Sequence, residues 1–77
     1  MVNESEMNRI VRGNIRQLVN DRGIKHRLVA AKLGMTKNQF CDILQGRKLI
    51  MPDHLFGLRR ILGCTYDDLF RKPEGVG

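Results

Sequence analysis

Apolar residues return along this chain at helical intervals, and glycines divide the pattern into short lengths. From about Glu6 to Arg22 the apolar positions are Met7, Val11, Ile15 and Leu18, with Ile10 and Val19 beside them. An apolar residue every three or four positions makes one stripe on a helix. Arg9, Arg12 and Arg16 take the polar face. Asn3 or Ser5 is placed to cap this helix, Asn3 with Glu6 as a capping box, and Gly23 to stop it. Gly13 weakens it by about 1 kcal/mol relative to Ala. A second segment, His26 to Leu33, turns Val29, Ala30 and Leu33 to one side. A third, Lys37 to Leu44, follows the cap residue Thr36 and turns Phe40, Ile43 and Leu44 inward. Pro52 opens a fourth, where its missing N–H costs nothing. Leu55, Leu58 and Leu62 form that stripe, Phe56 and Ile61 flank it, and Gly63 ends it. Thr65 caps a short fifth helix whose first turn holds Asp67 and Asp68, acids that suit the positive end of the helix dipole. Leu69 and Phe70 are expected to pack back on the core. The pattern predicts an all-α fold, a compact five-helix bundle without strands.

Only Gly34, Met35 and the Thr36 cap separate the second and third helices. So short a link forces them to cross steeply, as in a helix-turn-helix. The 77 residues are expected to form one domain, ordered over about residues 6–71, with a flexible tail at residues 72–77.

Composition narrows the function. A chain this short buries only about 60% of its unfolded surface, which leaves little room for an enclosed substrate pocket. Aromatic content is 5% with no Trp, so there is no stacking platform for single-stranded nucleic acid. The net charge is +6, and its placement matters more than its size. Residues 22–48 hold Arg22, Lys25, Arg27, Lys32, Lys37, Arg47 and Lys48 against Asp42 alone, a local excess equal to the whole net charge. Such an excess suits a polyanion, or else is only a solvated face. Cys41 and Cys64 form neither a C-x-x-C pair nor a disulfide framework. MVNESEMNRI is polar and acidic, unlike a signal peptide, and no apolar run approaches the roughly 18 residues that span a bilayer. The expected location is a reducing cytoplasm. His26, His54 and the two cysteines match no common zinc spacing, and no phosphate loop, paired carboxylate or Cys–His arrangement is present. No enzyme, cofactor, metal or small-molecule ligand is expected.

The twenty residues from His26 to Gln45 resemble the helix-turn-helix of the phage Cro and repressor proteins and their bacterial relatives, the Xre-like family. Ala30 is fifth, small where the helices touch, and Gly34 is ninth, where the turn needs a positive φ. Val29, Leu33, Met35, Phe40 and Ile43 fill the usual apolar places. Gly23-Ile24, Gly46 and the stretch Leu62 to Leu69 extend the likeness over about Met7 to Phe70. Members of the family often pair an Arg, four residues before the Gly ending the first helix, with a Glu two residues before the Gly after the third. Val19 and Leu44 stand there instead. One buried charge alone would cost about 3–5 kcal/mol, whereas replacing both partners by apolar groups is often neutral. Val19 and Leu44 are therefore expected to meet in the core. His26 and Lys25 stand where the family commonly has Gln and a Ser or Thr cap.

The resemblance implies that the third helix enters the major groove of double-stranded DNA, with the second across the backbone. Base-reading candidates on its outward face are Thr36, Lys37, Asn38, Cys41, Asp42 and Gln45. Lys37 suits guanine, Asn38 adenine, Asp42 cytosine N4 and Thr36 a thymine methyl. Lys37 is as well suited to a phosphate, Asp42 to a salt bridge unconnected with DNA, and Cys41 to simple filling. Phosphate contacts are expected from Lys25, His26, Arg27, Gln39, Arg47 and Lys48, with the helix-2 N-terminus assisting. Cys64 is expected in the core and His54 in solvent. The function implied is a sequence-specific transcriptional regulator, a repressor of bacterial or phage origin. It would bind a pseudo-palindrome as a homodimer through helices 4 and 5, by way of Phe56, Ile61, Tyr66 and Phe70. The rival expectation is a protein-interaction module on the same fold, an antitoxin-like partner or an adaptor of another regulator.

Overall fold

A computed structural model describes residues 5–72. Five helices follow one another: α1 (Glu6–Asp21), α2 (His26–Lys32), α3 (Lys37–Leu44), α4 (Pro52–Leu62) and α5 (Tyr66–Phe70). There is no strand among the described residues. None of these helices is long and apolar enough to cross a membrane. The cap of α1 is Ser5, whose hydroxyl accepts from Asn8 N at 3.0 Å; Asn3 lies outside the described residues.

The α2–α3 turn follows from its sequence. Gly34 takes φ 75°, and the carbonyls of Ala30 and Ala31 accept from Met35 N and Gly34 N. This is a Schellman motif, which closes a helix in the fewest residues and sends the chain off at an angle. Thr36 then starts α3 with a capping box: its hydroxyl accepts from Gln39 N, and Gln39 Oε1 accepts from Thr36 N. Four orphan donors at the helix start are thus reduced by two, and the entry of α3 is held.

Burial follows the predicted stripes with two exceptions. Val11, Ile15 and Val19 of α1 join Val29, Ala30, Phe40, Leu44, Leu58, Leu62, Cys64 and Leu69 in one cluster. Val19 and Leu44, the apolar substitutes for the charged pair, are both within it, and α1 packs against α3. Met7, however, is 46% exposed, in the first turn of α1. Phe70 is also exposed, at 37%; Leu69 alone turns α5 into the core. A five-residue helix can bury one such side chain on its inner face, and its neighbour must point away.

Two links between distant segments hold the ends of the bundle. Asn14 donates through Nδ2 to the carbonyls of Leu69 at 2.7 Å and Arg71 at 2.8 Å, fastening α5 to α1. Asn8 Oδ1 accepts from Ile50 N at 3.2 Å, fixing the α3–α4 loop to the start of α1. His54 is not the free solvated group expected. It is half-buried, and its Nδ1 accepts from Met51 N at 3.1 Å, serving the start of α4 where Met51 has no capping oxygen. Burial, with Lys48 nearby, lowers its pKa from the ordinary 6.5. Cys64 is buried as expected, and burial raises its thiol pKa, which makes it a poor nucleophile.

Candidate nucleic-acid interface

The basic stretch of the sequence becomes a surface around α2 and α3. Lys25, His26, Arg27 and Lys37 line one open groove where the starts of the two helices come together. Lys25 occupies the N-cap position of α2 in extended conformation and makes no side-chain bond to the first turn. A phosphate oxygen would find positive side chains here, together with helix N–H groups that no cap residue serves. His26 has a second task. Its ring meets Phe40 edge to face, with centroids 5.7 Å apart at 86°, so it also packs across the α2–α3 crossing.

The outward face of α3 carries most of the other candidates. Thr36, Lys37, Asn38 and Gln45 are exposed, and Cys41 and Asp42 are half-buried. Thr36 and Gln39 are exposed too, but the hydroxyl of the first and Oε1 of the second serve the capping box. What remains to Thr36 beyond that bond is its methyl group and its O–H donor, and to Gln39 its amide NH2. Asp42 and Arg47 hold one another: Arg47 Nε donates to Asp42 Oδ1 at 3.0 Å. Lys48, next along the loop, is exposed.

Two residues outside the expected set support this face. Arg12, placed on the polar side of α1 by spacing alone, donates through Nη1 to Leu44 O at 3.4 Å. Its guanidinium also lies against Gly46, where an added Cβ would come within 3.1 Å of Arg12 Nε. A cation at the C-terminal end of α3 opposes the negative end of its dipole. Asn8, through the Ile50 bond, holds the far end of the loop that presents Arg47 and Lys48. Separations of 32 and 42 residues leave no periodic signal for either link. The one hint is Gly46, which leaves room for an approaching side chain.

Two short helices in contact across a short turn, the second with a polar outer face and the first with a basic start, fit a DNA-binding helix-turn-helix. The sequence agrees: residues 14–73 match the Cro/C1-type HTH DNA-binding domain, and the chain belongs to that family. It is a family of DNA-binding domains that typically has no catalytic activity. Comparison with curated proteins and with solved structures gives no significant match to either.

Proposed function

We propose that this chain is a sequence-specific repressor of transcription that acts on double-stranded DNA and performs no enzymatic chemistry. The observation that carries the proposal is the adjoining placement of the four-residue basic groove and the polar outer face of α3. In this reading α3 lies in the major groove. Lys37, Asn38, Cys41 and Gln45 face base edges with the Thr36 methyl, and Lys25, His26, Arg27, Gln39 and Lys48 face phosphates. Each good bidentate base contact contributes about 1–3 kcal/mol of discrimination.

The same reading makes the protein a homodimer. Phe56, Tyr66 and Phe70 on α4 and α5 are large and exposed, and Ile61 of α4 is half-buried. The Arg59 and Arg60 guanidinium groups stand over the Tyr66 and Phe56 rings, 5.2 and 5.9 Å from their centroids. Two copies joined there would set two α3 helices about 34 Å apart on a pseudo-palindrome. The setting is a bacterial or phage-infected cytoplasm. Exposed aromatic side chains on elements other than those of the basic groove suit a dimeric DNA binder. An adaptor without DNA contacts would leave the basic groove unexplained.

The test is a titration of randomised duplexes with the full chain at two salt concentrations. Enrichment of a two-fold symmetric sequence, with affinity falling as salt rises, supports the proposal. No duplex binding, or binding that ignores salt, refutes it.

A further inference from the structure

Asp42 is the only acid in the basic stretch of residues 22–48. Its backbone carbonyl accepts from Arg47 N at 2.8 Å and from Lys48 N at 3.2 Å, in the turn that Gly46 makes at φ 81°. The bond from Arg47 is the long bond of a Schellman motif, which brings the side chains at its two ends together, usually as an apolar contact. Here those side chains are Asp42 and Arg47, and the contact is the ion pair at 3.0 Å. The two side chains keep 43% and 65% of their surface open to solvent. An exposed pair of this kind adds little to stability, so its consequence is geometric. It holds the Arg47 guanidinium beside Asp42 in the last turn of α3, on the helix face that exposed Asn38 shares one turn earlier.

Two chemical consequences follow. Nε–H is engaged by Asp42, so the donors left to Arg47 are the paired Nη groups, an end-on fork that matches guanine O6 and N7. A carboxylate 3.0 Å away also offsets the cation's charge and repels a phosphate. Phosphate binding gains from bare charge, whereas a base edge gains from a donor fork held in one direction. We propose that Arg47 reads a guanine and that Asp42 is its positioning residue, not an independent reader of cytosine. This rests on the DNA-binding reading and deepens it by naming a base and the pair responsible.

The test uses the full chain and the site selected above, with every position varied to all four base pairs. The proteins are wild type, Arg47→Lys, Asp42→Asn and the double variant; Arg47 is exposed and Asp42 half-buried, and circular dichroism verifies folding. Arg47→Lys keeps the charge but loses the fork. It is expected to cut the guanine preference at one position per half-site by about tenfold, with the salt dependence unchanged. Asp42→Asn is expected to weaken that same preference, and the double variant to be no weaker there than Arg47→Lys. If Arg47→Lys leaves every preference intact and Asp42→Asn tightens all sequences alike, Arg47 is a phosphate contact and the proposal is overturned. It is also overturned if Asp42→Asn alters a position that Arg47→Lys spares, or acts further in the double variant. If the wild type binds no duplex, both the proposal and the DNA-binding reading fail. Selective binding without these couplings removes the proposal alone.

Discussion

Alanine at Gly13 and alanine at Gly34 should move the stability of this domain in opposite directions. At either position an added Cβ meets no heavy atom within 4 Å, so packing does not decide the outcome. Gly13 lies exposed within α1, in helical backbone. Alanine is favoured over glycine there by about 1 kcal/mol. Gly34 stands at φ 75°, where an L residue is disfavoured by about 1–2 kcal/mol. The stiffer unfolded chain returns about 0.4–1 kcal/mol of that, which leaves a net loss near 1 kcal/mol. For a domain of this size 1 kcal/mol moves Tm by about 4–8 °C. Thermal and urea unfolding followed by circular dichroism should therefore show Gly13→Ala melting several degrees above the wild type and Gly34→Ala several degrees below. Because only the backbone differs, m-values should not change. Shifts of the same sign, or a destabilised Gly13→Ala, would refute the assignment of these two backbones.

Other expectations follow from single contacts. Asn14→Ala removes two hydrogen bonds to α5, so it should cost about 1–3 kcal/mol and release α5 amides to faster hydrogen exchange while α3 stays protected. His54 favours its neutral form in the folded state. Its contribution should be complete above pH 6.5 and be lost as pH falls below that value toward its lowered folded pKa. His54→Gln should remove that part of the pH dependence, and an unchanged acid limb would count against the Met51 N–H bond. Val19→Arg should cost about 3–5 kcal/mol. Adding Leu44→Glu should recover part of that loss in urea titrations, whereas strict additivity would separate the two sites.

The boundaries of the five helices were legible because capping and stopping chemistry is local. Ser5, Thr36, Pro52 and Thr65 start helices, and Gly23, Gly34 and Gly63 follow their ends. The replacement of a charged pair by Val19 and Leu44 was legible as well, since a lone charge at either buried position would be costly. Met7 and Phe70 were misread because periodicity gives the face of a helix but not how far its neighbours extend over it.

By itself, the sequence determined which segments are helical, where they turn and that the basic residues concentrate around the second and third. Each of these depends on residues within a few positions of one another. Tertiary structure decided which polar groups meet. Arg12 reaches the end of α3, Asn14 holds α5, and His54 serves α4 rather than solvent. Asp42 lies between these cases. Its place on α3 is a matter of spacing, but its partnership with Arg47 depends on how the Gly46 turn folds back. A hydrogen bond depends on distance and angle in space, and helical period carries neither between separate elements.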